Sequence, residues 1–169
     1  MSRPVLTAAR VRELLLYNPD TGVFTWRVRQ GRVHAGEVAG TAREHYCGHR
    51  RIIQVDRKVY HASRLAWLWM TGDWPSLQID HVNLDGLDNR WSNLREATQA
   101  QNQANRRRVS TNTSGFKGVS WNNFHRRWHA QTSTNGRHVY LGHYDTPEAA
   151  HAAYAHFAET KFGAFARVK

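Results

Sequence analysis

The stretch QIDHVNLDGLDNRWSNLREATQAQNQAN, residues 78–105, decides how the rest of the chain is read. It opens on a short apolar run, Gln78 to Val82, that reads as a strand carrying Asp80-His81. A polar loop follows, Asn83 to Arg90, full of the Asp, Asn and Gly residues that favour turns. Trp91 to Leu94 reads as a short strand or turn, and Thr98 to Arg107 as a helix. Asn93 lies 12 residues after His81 and Asn102 lies 21 after it, on that helix. Asp85 and Asp88 read as turn formers, and Asn89 is a rival to Asn93 within the same loop.

These residue types suit phosphodiester hydrolysis. A water must lose a proton near neutral pH, and histidine titrates there. Charge building on the phosphate must be neutralised, and a carboxylate with an amide oxygen suits a hard divalent cation. The charge distribution agrees. The formal net charge is +11 and the pI about 10.6, which points to a polyanionic partner. Residues 78–105 nevertheless hold 2 basic and 4 acidic side chains, against 12 and 6 before them and 10 and 3 after. An acidic island between basic flanks makes sense where a carboxylate holds a cation beside a phosphate.

Working outward, Thr7 to Tyr17 reads as an amphipathic helix with Thr7 as N-cap, Asn18 to Gly22 as a turn, and Val23 to Val28 as a strand. Gln30 to Gly48 reads only as loops and short strands. Arg51–Val55 and Lys58–His61 read as a hairpin, and Ala62 to Thr71 as an apolar helix stopped by Gly72. Beyond residue 105, Arg106, Arg107 and Arg108 open a basic linker (106–113) suited to tracking phosphates. Three strand-like runs follow, Phe116–Trp121, Arg127–Ser133 and His138–Gly142, with Asn135-Gly136 as the strongest hairpin signal. Thr146-Pro147 then starts an alanine-rich helix. Alternation turns Val119, Trp128, Ala130, Thr132, Val139 and Leu141 toward that helix. It leaves Lys117, Ser120, His129, Gln131, Ser133, His138 and Tyr140 on an outer, hydrogen-bonding face suited to base edges and phosphates. Trp121, Arg126 and Arg127 are candidate contacts at the hairpin tip.

The run from Ile79 to Asn105, with RLAWLWMTGDWP (64–75) leading into it, resembles the HNH endonuclease family, in particular phage-borne members. Their site is a two-stranded ribbon and a helix around one metal ion. The resemblance implies that Asp80 is a metal ligand and His81 the general base, that Asn93 braces the loop and orients the histidine, and that Asn102 is the second metal ligand. This is the His-Asn-Asn variant. The implied cofactor is one divalent ion, Mg2+ or alternatively Mn2+. The motifs SGFKGVSW, RRWHAQTS, RHVYLGHYDTPEAAHAAYAHFAETKFG and GAFA, within 114–166, resemble the Apetala-two/ethylene-response-factor DNA-binding domain. Its three-stranded sheet lies in the major groove with the helix behind. Ser120 and Tyr140 stand where that family usually carries arginine and tryptophan, so the base preference of plant members is not carried over.

The expectation is an α+β chain. An HNH ββα-metal half with an N-terminal helix and hairpins spans 1–105, and a three-stranded antiparallel sheet plus one helix spans 114–169. The function implied is a metal-dependent endonuclease on double-stranded DNA, a site-specific homing enzyme or nickase, acting as a monomer and leaving 5′-phosphate and 3′-hydroxyl ends. The alternatives are a non-catalytic DNA-binding regulator and an RNA-binding accessory protein. The single cysteine, Cys47, speaks against a disulfide framework and a structural zinc. No apolar run approaches the ~18 residues of a membrane span and no secretion signal is evident. The expected setting is therefore the cytoplasm, of a bacterial host or under phage control, with no membrane and no small-molecule cofactor.

Overall fold

The structure, a computed structural model, describes residues 5–45, 48–108, 111–134 and 136–168. Cys47, Asn135 and the linker residues Val109 and Ser110 lie outside the described residues. The chain is a mixture of α-helices and small antiparallel sheets, and it divides into two compact units, Met1–Glu96 and Ala97–Lys169.

In the first unit Thr7 caps helix α1 (Ala8–Leu14), its hydroxyl accepting from the Arg10 amide at 3.2 Å. The sequence carries this helix to Tyr17, but Leu15 turns extended, and Leu15–Asn18 form strand β1. The cause lies outside the segment. β1 pairs antiparallel with β2 (Val23–Trp26), Leu15 opposite Trp26 and Tyr17 opposite Phe24, and all four side chains are buried. A short apolar run fits either period, and its partner decides. Strands β3 (Thr41–His45), β4 (Gly48–Val55) and β5 (Lys58–His61) form an antiparallel sheet in that order. Helix α2 (Ala62–Thr71) ends at Gly72 in the left-handed conformation. Val11, Leu14, Leu15, Phe24, Ile53, Val55, Leu65 and Leu68 make the core. Strands β6 (Gln78–His81) and β7 (Leu94–Ala97) form a separate two-stranded ribbon.

The second unit contains helix α3 (Gln99–Asn105), strands β8 (Val119–Asn122), β9 (Arg127–Thr134) and β10 (Arg137–Tyr144), and helix α4 (Pro147–Phe162). The sheet is antiparallel with β9 in the middle. Thr146 caps α4, and Ala150, Tyr154, Ala158 and Phe162 pack on Val119 and Ala130. β8 begins later than the sequence suggests because residues 116–118 form a turn with Gly118 at φ +75°. A Cβ on Gly118 would lie 2.7 Å from Tyr154 Cγ and closer to two other ring atoms, so the chain here requires glycine. Ala100 and Ala104 of α3 join this same core. The helix that the sequence reading places in the first domain therefore packs with the second unit. Among the described residues, no helix is long and apolar enough to cross a membrane.

Candidate functional site

β6 ends on Asp80 and His81, each 4% exposed. Arg95, on β7, donates from both Nε and Nη2 to Asp80 Oδ2 at 2.9 Å. His81 Nε2 lies 3.2 Å from Asn89 Oδ1. Asn89 is 1% exposed and its Nδ2 donates to the Leu87 carbonyl at 3.1 Å, which turns the amide oxygen toward the ring. An oxygen only accepts, so this network assigns the Nε2–H tautomer to neutral His81 and places its lone pair on Nδ1. Burial pushes His81 below the ordinary histidine range, and the Arg50 charge adds to that. The Asn89 contact, Asp80 and Asp85 oppose it.

The loop between the strands is tied internally. Asn93 Oδ1 accepts from the Asn83 amide at 3.0 Å, while its Nδ2 donates to Asn83 Oδ1 at 3.0 Å and to the Asp88 carbonyl at 2.7 Å. The Asn93 side chain thus braces the loop, with both amide hydrogens used there. The partner that orients the imidazole is Asn89, the residue that sequence reasoning ranked behind Asn93. Asp85 accepts from the Leu87 amide at 2.9 Å, a turn-forming role. Asp88 holds Arg90 in a two-point ion pair and accepts from Asn83 Nδ2 at 2.7 Å. Arg90 keeps the Asp88 carboxyl down at about 2.

Three residues from the N-terminal hairpin secure the loop from outside. Tyr17 Oη donates to the Asn89 carbonyl at 2.6 Å, and the Trp91 amide donates to the Pro19 carbonyl at 2.9 Å. Gly22, at φ +72°, lies against the Asn89–Arg90 backbone. Arg50 of β4 reaches Gly86 in the same loop. Sequence spacing carries no signal for Tyr17, Gly22, Arg50 or Arg95, because each meets the site only through tertiary packing.

Asn102 is half-buried on α3, whose start is fixed by a capping box between Thr98 and Gln101. It belongs to the second unit, whereas Asp80, His81 and Asn93 belong to the first. Among the described residues no three His, Cys, Asp or Glu side chains converge to hold a metal ion. The Asp80 carboxylate is an oxygen donor of the kind that suits a hard divalent cation keeping most of its waters, and any such cation would share it with Arg95.

On the second unit, Ser120, Gln131, Ser133 and His138 line a shallow depression of about 290 Å3 on the sheet, together with Asn112 and Gly118. Ser120 Oγ lies 3.2 Å from His129 Nε2, and Ser133 Oγ 3.2 Å from His138 Nδ1. A bulge between Tyr140 and Gly142 resets the alternation of β10, leaving Tyr140 exposed with its hydroxyl 2.6 Å from His143 Nδ1. Trp121 is partly exposed and packs edge-on against Trp128. Arg126 stands in the tip with φ +50°, and Arg127 pairs with Asp145 at 2.8 Å. Arg106, Arg107 and Arg108 are exposed, with Arg108 Nη1 donating to the Asn112 carbonyl at 2.8 Å. Lys117 is a correction. Expected on the outer face, it sits in the turn before β8, where strand alternation does not apply, and its ammonium points to three backbone carbonyls.

Comparison with known proteins divides the chain slightly differently, because one family match runs on from the first unit into α3. Residues 60–104 match the HNH endonuclease family model and residues 114–164 the AP2 domain model. Protein 3.8 of Escherichia phage T7 is 34% identical over 59 residues, 35% of this chain and 49% of that protein. An uncharacterized HNH endonuclease of Acanthamoeba polyphaga mimivirus is 36% identical over 100 residues, 59% of this chain and 51% of that protein. The chain thus spans about half the length of these relatives. No solved structure matches. Over residues 60–104 this chain is an HNH endonuclease domain, and over residues 114–164 it is an AP2 domain.

Proposed function

We propose that the protein is a metal-dependent endonuclease on double-stranded DNA, in which the AP2 domain grips the duplex and the HNH domain cuts it. The observation that carries this reading is the His81–Asn89 contact: a histidine beside a buried carboxylate, at a strand end, held in one tautomer by a braced loop. His81 Nδ1 takes the proton from an attacking water. The resulting hydroxide adds to the phosphorus, the P–O3′ bond breaks, and the 3′ oxygen leaves and takes up a proton from solvent. The products are 5′-phosphate and 3′-hydroxyl ends. Asn89 sets the ring, and Asn93 keeps the loop in shape. Asp80 and Asn102 would hold one divalent ion, Mg2+ or Mn2+, which when bound neutralises charge on the phosphate in the transition state. Asn102 enters on the strength of its place in the HNH-matched stretch.

On the second unit the acid-free run from Arg106 to Tyr144 supports polyanion binding. Ser120, Gln131, Ser133, His138 and Tyr140 are the base-facing set, and Trp121, Arg126 and Arg127 act at the tip. One active site per chain acting as a monomer gives a nick. A reader joined to a cutter fits a site-specific homing role in a phage or bacterial setting. A second reading, a DNA-binding regulator without catalysis, draws on the Arg95–Asp80 ion pair, which gives that carboxylate a structural partner of its own. Supercoiled plasmid incubated with Mg2+ separates them. Nicking that vanishes with EDTA and in His81→Ala, while gel-shift binding persists, is expected; intact plasmid throughout with binding preserved establishes the regulator.

A further inference from the structure

The tip of the β8–β9 hairpin holds an aromatic ring out in water. Phe124 is 90% exposed, more than any other large hydrophobic side chain among the described residues. The exposed large hydrophobics of the first unit are all valines and leucines, whereas those of the second, Trp121, Phe124 and Tyr140, are all aromatic. These three lie in the run from 106 to 144, which contains no acidic residue. Rings kept in water among cations suit nucleobases, whose faces stack on them while arginines take the phosphates.

The tip is braced from behind. Asn122 Oδ1, at the end of β8, accepts from the amides of Phe124 and His125, each at 3.0 Å, which fixes the chain as it leaves the strand. Arg126 then takes φ +50°, and the chain re-enters the sheet at Arg127, opposite Asn122. The Phe124 ring meets His125 edge-on with centroids 4.9 Å apart, and His125 lies on His143 at 4.4 Å. His143 in turn lies 5.2 Å from Tyr140 and 6.1 Å from His129. Ring contacts therefore run unbroken from the outer face of the sheet to Phe124, which stands at their free end. A side chain presented on an ordered tip gives up little further freedom when it binds.

We propose that Phe124 is a wedge: as the second unit takes up duplex DNA, the ring enters between two stacked base pairs, parts them and bends the duplex. Arg126 and Arg127 meet the phosphates beside the opened step. The inference rests on duplex binding by this unit. It gives the reader a preference for steps that part easily, such as TA and CA, without a hydrogen bond to any base edge.

The test uses the full-length protein on relaxed, covalently closed plasmid in EDTA, which silences metal-dependent cutting. A type IB topoisomerase, active without metal, equilibrates the plasmid before the proteins are stripped away. Parting base pairs lowers the twist, and this survives as a drop in linking number on an agarose gel. Gel shifts match occupancy between variants. The wild type is expected to shift the linking number in proportion to protein bound. Phe124→Ala is expected to lose the larger part of that shift at equal occupancy, with an unchanged melting temperature because the side chain is exposed. Phe124→Leu, still apolar enough to part the bases, is expected to keep most of it. An equal shift in wild type and Phe124→Ala overturns the wedge, as does a wild type that binds without shifting. So does Phe124→Leu behaving as Phe124→Ala. Weaker duplex binding by Phe124→Ala with an unchanged shift per bound molecule makes the ring a groove contact and also overturns it. Tighter binding of the wild type to a single-stranded oligonucleotide than to duplex, lost in Phe124→Ala, makes the ring a platform for open strands and does the same. A wild type that gives no gel shift on duplex removes the binding reading itself, and the wedge with it.

Discussion

Gly22→Ala tests whether the N-terminal hairpin governs the histidine loop from a distance. Gly22 has φ +72°, and a Cβ there would lie 2.9 Å from Asn89 Cα and closer still to Asn89 C and Arg90 N, where ordinary contact begins near 3.4 Å. The struck atoms are backbone, so no side-chain rotation relieves the overlap. A non-glycine residue in left-handed conformation costs about 1–2 kcal/mol, and overpacking against a fixed neighbour about 1–3 kcal/mol more. The sum, roughly 2–5 kcal/mol, is a large part of a typical domain's stability of about 5–15 kcal/mol. If the chain accommodates the methyl by shifting Asn89, the contact to His81 goes with it, and a displacement of about 1 Å at a reacting group costs on the order of 100-fold in rate. Urea unfolding gives the first quantity and plasmid nicking the second. Gly36→Ala is the control, since Gly36 has φ +88° with nothing within 4 Å of a Cβ, and it should show the conformational term alone. Equal stability of the two variants, with nicking at the wild-type rate in Gly22→Ala, refutes the buttress.

Three further outcomes are expected. Arg95→Met removes the guanidinium from a carboxylate that is 4% exposed; the melting temperature should fall in EDTA, by the equivalent of about 3–5 kcal/mol, and recover more with added Mg2+ than in the wild type, whereas no recovery argues against Asp80 as a ligand. Gly118→Ala combines φ +75° with the Tyr154 ring and should destabilise the second unit by roughly 2–5 kcal/mol and weaken gel-shift binding, while Gly115→Ala, at φ +80° with open space, should not weaken binding. Arg90 holds the Asp88 carboxyl down at about 2, below the ordinary aspartate value of 3.8; its contribution is complete above 3.8 and is lost as pH falls through about 2, so acid titration should lower wild-type stability more steeply there than that of Asp88→Asn, and equal slopes would remove Asp88 from the account.

Much of this architecture is legible in the residues because local chemistry and tertiary demand agree. Thr146-Pro147 starts α4, Gly72 stops α2, and Asp80-His81 ends a strand before a loop whose Asp and Asn residues do what turn residues do. Legibility fails where an atom some distance away along the chain casts the deciding vote. Leu15 to Tyr17 could continue a helix until Phe24 and Trp26 offer a partner strand. Lys117 lies two residues before Val119, the first residue of β8, and alternation carried back into the turn assigns it the wrong face; three carbonyls set its direction. Asn89 and Asn93 are both plausible partners for His81 in one polar loop. Tyr17 and Gly22, more than 60 residues earlier, lie against the backbone at 89 and help to fix it where its amide meets the ring.

The same residues show that the contacts ordering the HNH-matched stretch extend beyond its bounds. The HNH-matched stretch runs from 60 to 104, yet Tyr17, Pro19, Gly22 and Arg50 secure its loop from before that stretch, and Lys117 and Arg167 hold its helix from beyond it. A short polar loop and a helix of 7 residues have too little apolar surface to order themselves. The orientation of His81 and the packing of α3 are therefore properties of the two flanking folds, each within its own unit. In this chain local order is imported: the hairpin core fixes the loop that meets His81, and the core of the second unit fixes α3. Chain outside the motif is thus free to vary in sequence only so far as it keeps those few contacts.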